Sequence, residues 1–463
     1  MTTARGVGAL RLSGRVVRPG DADYDVARTP WNHFITRRPA AVAYARTTQD
    51  VIDAVDWARR HRMEFRVRSG EHSLVAWSSV DDGLIIDVSG LKAVTVTAPR
   101  RDAVPTALLG AGLTQGEVVA ALGRSGLTVP LGNKGSMALV GATLGGGFGL
   151  LSRTFGLVSD QLLGAEIVVA GDDGLAQSIC VDTRHHADLL WALRGGGNGG
   201  IGIVTSLLMR TQPMTTAVRV TARWSGLTHL PAVLAAWQRT APAADHRLTS
   251  QLEIRRDGID LLAVMVDGSE AAAVELLAPV LGHGEPEVTA VEEAWTGIFD
   301  SVQVPTHAEP ANWHSTSQFM DRPMPALAVE VVTAFMQAAP TADCCVFTQA
   351  LGGAVLTGEP LGGSAFAHRE SWFYAQIDAV WGVRGDRPAA EDPQTEECLS
   401  WADRFSRSLR PWADGAYVNV PNPDLREWER AYWRDNADRL RAVKTVYDPE
   451  DVFHHQQSSP PMR

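Results

Sequence analysis

Few cysteines, no long apolar run and no block of basic residues set the first limits on this chain of 463 residues. Its four cysteines, Cys180, Cys344, Cys345 and Cys398, show no metal-ligand spacing. Cys344 and Cys345 are adjacent, which suits neither a zinc knuckle nor an easy disulfide. A reducing cytoplasm fits that usage. No apolar run approaches the roughly 20 residues needed to span a bilayer. The opening MTTARGVGALRLSGRVVRPGD lacks the apolar core of a signal peptide. Net charge is -11 with no dense Lys/Arg stretch to offset it, so neither nucleic acid nor an anionic membrane is an expected partner. What is present is ordinary for a globular protein: 45% hydrophobic and 21% charged residues. The length suggests about two or three domains.

The first two hundred residues alternate helix and strand signals. TTQDVIDAVDWARRHR reads as a helix, with Thr48 as N-cap, Val51, Val55 and Ala58 on one face, and basic residues at its end. EFRVR and GLIIDVSG read as strands. TQGEVVAALGRSG is a short helix closed by Gly126. GAEIVVA is a strand, and HADLLWALR a helix running into Gly195. Near residue 214 the texture changes. TAVRVTARW, RLTSQLEIRRD and GIDLLAVMVDG read as strands, and EAAAVELLAPVLG as a helix. This is the pattern of an antiparallel sheet with helices over one face. Near 413 it changes again, to a loop and one helix that stops at Tyr447-Asp448-Pro449.

Glycines cluster in two loops. Gly145, Gly146, Gly147 and Gly149 let backbone approach a flat or anionic ligand without Cβ obstruction. A tight turn explains one such glycine; four together point to ligand contact. In the second loop, Gly195, Gly197 and Gly200 match G-x-G-x-x-G. The dinucleotide fingerprint requires that motif to follow a strand and open a helix. Here it follows a helix and opens the strand IGIVTSLLM, so the nicotinamide-fold reading is rejected.

The ordered set of motifs resembles the vanillyl-alcohol-oxidase / berberine-bridge-enzyme-like family of FAD-linked oxidases, in its bacterial, histidine-only form. The set runs RSGEHS (68–73), LIIDVSGLKAV (84–94), GAGLTQGEVVAAL (110–122), LGGGFGLLSRTFGLVSDQLLGAEIVVA (144–170), WALRGGG (191–197), IVTS (203–206), FAHRESWFY (366–374), YVN (417–419) and YDPEDVFHHQQS (447–458). The resemblance implies an α+β fold. A discontinuous PCMH-type FAD-binding domain of two α/β subdomains would come from 1–213 and 413–463. An inserted substrate domain, 214–412, would be an antiparallel sheet covered by helices. FAD would be bonded covalently through one histidine, His72. The resemblance also puts Arg68, Ser69, Gly70, Glu71, Ser73, Leu144, Gly145, Gly146, Gly147, Gly149, Asp160, Gly202, Ile203, Val204, Tyr417 and Asn419 at the cofactor.

Three departures from the family pattern stand out. Many relatives carry a second tether, a cysteine about ten residues before the triple glycine; counting back from Gly145 puts Lys134 there. Glu71 stands where the family has glycine, which implies either backbone strain or an altered loop. Val420 replaces the tyrosine that alcohol-oxidising relatives carry at the end of Y-x-N-Y.

FYAQIDAVW (373–381) alternates: Phe373, Ala375, Ile377, Ala379 and Trp381 on one face, Tyr374, Gln376 and Asp378 on the other. The polar row faces either a cavity or solvent. In the family this strand gives the catalytic acid/base. Alignment back from Trp381 selects Tyr374, and alignment forward from His368 selects Ala375. Tyr374 is taken because it lies on the polar row. A phenol of pKa about 10 is a poor base unless tuned. An enolisable polyketide-like molecule, a phenol or an amine therefore suits the site better than a sugar. His185-His186 and His454-His455 stay outside the assigned site, while Trp313, His314 and Gln349 could line the cavity. The expectation is a cytoplasmic FAD-linked oxidase acting on a small secondary-metabolite intermediate, with dioxygen as acceptor. An internal oxygenase or oxidative cyclase using an oxygenated flavin stands beside it, as does a decayed flavin-binding ligand carrier. The oligomeric state has no signal.

Overall fold

The computed structural model describes residues 10–97, 104–171, 174–197, 200–303, 311–382 and 392–462. Three main sheets organise them. The first orders strands Val16–Val17, Ala41–Tyr44, Leu84–Asp87 and Phe65–Arg68. Its central strand Leu84–Asp87 pairs in parallel with both neighbours. All four of its residues are buried, as a continuous apolar run between two neighbours requires. Helix Thr48–Arg60 covers this sheet with Val51, Ala54, Val55 and Ala58. Its N-cap is Thr47 rather than the expected Thr48: the Thr47 hydroxyl accepts from the Asp50 amide, and Asp50 returns a bond to the Thr47 amide.

A second, antiparallel sheet orders Val94–Thr97, Thr106–Gly110, Ile203–Arg210, Leu162–Ala170 and Ala176–Asp182. One hydrophobic core joins both sheets and also takes in Trp433, Leu440, Val443 and Phe453 from the other end of the chain. Among the described residues, no helix is long and apolar enough to cross a membrane.

The third sheet has seven antiparallel strands, in the order Glu287–Ala294, Thr216–Ser225, Gly258–Met265, Leu248–Arg255, Cys345–Ala350, Phe373–Trp381 and Asn312–Met320. The apolar row Phe373, Ala375, Ile377, Ala379 and Trp381 packs in a core with Trp237, Val332, Trp401 and Phe405 from the covering helices. That burial turns the opposite row, Tyr374, Gln376 and Asp378, towards the first two sheets.

The C-terminal segment differs from the single helix expected. Two helices form, Trp428–Trp433 and Ala437–Tyr447, separated at Arg434, whose φ of +48° no helix accommodates. The second helix carries a fully buried lysine. Lys444 Nζ pairs with Asp448 at 2.5 Å and donates to the carbonyls of Gly200 at 2.8 Å and Phe453 at 2.6 Å. It thereby ties the end of the chain to the loop before strand Ile203–Arg210. Lys444→Met leaves the Asp448 carboxylate buried and unpaired, which costs about 3–5 kcal/mol. Urea unfolding should register that loss; a change below about 1 kcal/mol would contradict the clamp.

Candidate active site

The loop RSGEHS leaves the end of strand Phe65–Arg68. Arg68 turns back into the protein. Its Nε donates to Asp87 Oδ2 at 2.6 Å, Nη1 to the Ala27 carbonyl at 2.7 Å, and Nη2 to Tyr44 Oη at 3.3 Å. Asp87 is its register partner on the central strand, and both side chains are buried. The Ser69 hydroxyl donates to the Ala111 carbonyl at 2.8 Å, and the Ser73 hydroxyl accepts from the Trp77 amide. Gly70 passes so close to the next segment that a Cβ would sit 2.5 Å from the Ala138 nitrogen.

Glu71 has φ of +61°, so the strained alternative is the one realised. The usual glycine would hold this backbone without cost. Here the Glu71 carboxylate lies 3.3 Å from Arg68 Nη2, and this ion pair offsets part of the strain. Burial raises the Glu71 pKa, and Arg68 opposes that rise.

His72 stacks on Trp31, ring centroids 5.0 Å apart. Burial, and then the charge of Lys134, push its pKa down to about 3. The imidazole is therefore neutral near pH 7, and a neutral imidazole is nucleophilic.

His72 lies on the wall of two cavities. The first spans about 1270 Å³, counting space open to solvent, and runs past Ser69, Gly70, Glu71, Ser73, Leu144, Gly202, Ile203, Val204 and Asn419. The second, about 1170 Å³ on the same measure, carries Tyr374, Gln376, Asp378, Tyr417 and Gly147. His72, Leu74, Met137, Ala142 and Asn419 line both. The polar row of strand Phe373–Trp381 thus faces a cavity and not solvent, while Ala375 lies in the core on the far side.

Five residues expected at the cofactor stand off both walls. Arg68 is engaged by Asp87, as above. A Cβ on Gly145 would run into the Asn419 amide, one on Gly146 would lie 2.6 Å from the Phe366 ring, and one on Gly149 would strike the Leu131 carbonyl. These glycines make room for protein rather than for a ligand. Asp160 pairs with Arg369 and accepts from the Leu157 amide at 2.8 Å. It fixes the turn below the glycine loop.

Tyr374 Oη donates to Gln376 Oε1 at 2.7 Å, and Gln376 Nε2 donates to both Asp378 oxygens at 2.7 and 2.9 Å. Asp378 also accepts from Trp313 Nε1 at 3.1 Å and from the Ser315 hydroxyl. Burial and then Asp378 push the Tyr374 pKa well above its usual value. Tyr417 Oη accepts from the Gly147 amide and from Asn419 Nδ2, each at 3.0 Å. Burial raises its pKa to about 12. Val420, Gln349 and Lys134 line the same cavity, whereas His314 turns away to Asp403.

Several wall residues escaped sequence reasoning. His454 and His455 line the first cavity, with His455 stacked on Trp77 at 4.7 Å. Their place in the VFHHQQS motif was the available signal. Trp31 and Trp77 sit in loops with no periodicity to mark them. The first cavity is open beside Gly141, where a Cβ would meet nothing within 4 Å, so backbone there leaves room for a bound group such as FAD.

Comparison with known proteins agrees with this geometry. Residues 39–176 match the FAD binding domain family. Residues 416–460 match the family described as berberine and berberine like. The chain is 35% identical to the FAD-linked oxidoreductase YgaK of Bacillus subtilis (strain 168), over 98% of both chains. It is 28% identical to aclacinomycin-N/aclacinomycin-A oxidase of Streptomyces galilaeus, over 94% of this chain and 88% of that one. Physcomitrella patens BBE-like 1 shares the fold, with a TM-score of 0.86 at 24% identity over 97% and 98% of the two chains. The chain belongs to the berberine-bridge-enzyme-like family of FAD-linked oxidoreductases, and its α+β fold is the PCMH-type FAD-binding one with a further seven-stranded antiparallel sheet.

The strain at Glu71 gives a ranked expectation. Glu71→Ala keeps the positive φ and loses the Arg68 contact, whereas Glu71→Gly relieves the φ. The glycine variant should be more stable than the alanine variant by about 1 kcal/mol. Thermal denaturation of the two variants checks this, and equal melting temperatures would contradict it.

Proposed function

We propose that the chain is an oxidase taking hydride from a small organic molecule, an intermediate of secondary metabolism, with dioxygen as final acceptor. FAD, when bound, supplies the hydride acceptor and the reaction with dioxygen that yields hydrogen peroxide. Residues 1–213 and 413–463 form the cofactor part, and 214–412 the substrate part. His72 is the one covalent anchor, because Lys134 stands where a thioether cysteine would be. Ser69, Gly70, Glu71, Ser73, Leu144, Gly147, Gly202, Ile203, Val204, Tyr417 and Asn419 hold the cofactor without covalent bonds. The free cysteines support a reducing compartment, the cytoplasm.

The observation that carries this reading is that His72 lines both cavities, and that the second also bears the row Tyr374, Gln376 and Asp378. Each of these residues has a definable part in handling protons. Tyr374 commits its proton to Gln376, so its oxygen can accept a hydrogen bond from a substrate. With its pKa raised, it stays a phenol and does not take that proton near neutral pH. Asp378 orients Gln376 and is itself surrounded by donors. Val420 leaves the place of a second tyrosine apolar. A substrate that is acidic already, or that carries a nitrogen lone pair, needs no stronger base. Phenols, enolisable polyketide-like molecules and amines form that class. The relative named for oxidising aclacinomycin supports the secondary-metabolite reading.

Anaerobic mixing of the holoprotein with such molecules and with simple sugars, followed by dioxygen uptake, tests the proposal. The acidic class should bleach the flavin and consume dioxygen, while sugars should do neither. Rapid bleaching by sugars or aldonolactone precursors would overturn the substrate class. Bleaching without dioxygen uptake would overturn the oxidase.

A further inference from the structure

Among the described residues, Lys134 is the only lysine or arginine on the wall of the second cavity. Its backbone is held on all sides. Gln115 Nε2 donates to the Lys134 carbonyl at 3.3 Å, the Met137 amide donates to the same oxygen at 3.2 Å, and the Gly135 amide donates to Gln303 Oε1 at 2.6 Å. The long side chain therefore starts from a fixed base. Among the described residues no carboxylate lies within ion-pair distance of its ammonium, which stands 5.4 Å from the centroid of the Trp313 ring.

Two carboxylates share the cavity, and each is engaged by other groups. Glu253 pairs with Arg255. Asp378 is ringed by Trp313, Ser315 and Gln376. Trp313 separates the charges: its ring faces Lys134 and its N–H is bound to Asp378. The wall thus carries the Lys134 ammonium on one side of Trp313 and the Tyr374–Gln376–Asp378 row on the other, and the Glu253 carboxyl feels the charge of both Lys134 and Asp378. The wall also carries aromatic rings: Phe148 and Phe347 pack against Tyr374, and Trp31 against His72 and Trp313. A partly buried cation with no anionic partner is costly, and a ligand anion placed there removes that cost with a charge-assisted hydrogen bond.

We propose that Lys134 binds an anionic oxygen borne on the substrate's ring, so that the site selects a planar organic anion: a phenolate, an enolate or a ring carboxylate. This rests on the oxidase reading only in taking the second cavity as the substrate's. Lys134 sets which end of the molecule enters there. Asp378 repels the anion from its own side of Trp313, leaving the uncharged part of the ring beside Tyr374.

The probes are benzoate and benzamide, equal in shape and different in charge. Each is titrated into the holoprotein, and the shift in flavin absorbance reports binding. Benzoate should bind wild type at least about tenfold more tightly than benzamide does, a ratio set by one charge-assisted bond. Lys134→Met should abolish that preference, and Lys134→Arg should retain most of it. Benzamide should bind all three proteins alike. Equal affinities in wild type, no binding of benzoate, or a preference that survives in Lys134→Met would overturn the proposal. The titration needs no turnover, so it can fail while the oxidase reading stands, and succeed while that reading falls.

Discussion

The buried Arg68–Asp87 ion pair is the constraint on which the site depends. It joins the ends of two parallel strands and fixes where the chain leaves the sheet. Arg68 also reaches Ala27, Tyr44 and Glu71, so one guanidinium gathers four segments. A buried pair of this kind adds little net stability, but losing either member is expensive, about 3–5 kcal/mol. The pair therefore specifies geometry. Gly70 then presses against Ala138, Glu71 turns through a positive φ, and His72 emerges where the two cavities meet.

From that junction the rest of the site can be read as control of charge. His72 is kept neutral by burial and by Lys134. Tyr374 is kept protonated by burial and by Asp378. Each state follows from desolvation and one nearby charge. On the proposed reading, such a site moves few protons itself and favours a ligand arriving with its acidity already in place.

Much of the fold was legible because local chemistry and burial agree. The alternation in FYAQIDAVW separates a core face from a cavity face, and both are occupied as the period requires. The capping pair Thr47 and Asp50 marks its helix to within a residue. The motifs around His72, Gly202–Val204 and Asn419 do reach one cavity. What escaped depends on contacts distant in sequence. Gly145 and Gly146 are glycines because Asn419 and Phe366 occupy the space beside them, more than two hundred residues away in the chain. Arg68 and Asp160 sit inside the matching motifs, yet their side chains serve Asp87 and Arg369. Trp31 and Trp77 come from loops without period, and Arg434 breaks a run that composition alone reads as one helix.

His72, the proposed single covalent anchor, lies where the two cavities meet. Tryptic cleavage after Arg68 and Lys92 releases a peptide, residues 69–92, in which His72 is the sole histidine. Mass analysis of that peptide from denatured holoprotein should find it carrying the flavin on His72, with every other peptide unmodified. An unmodified 69–92 peptide, with the flavin free in solution or attached elsewhere, would contradict the account.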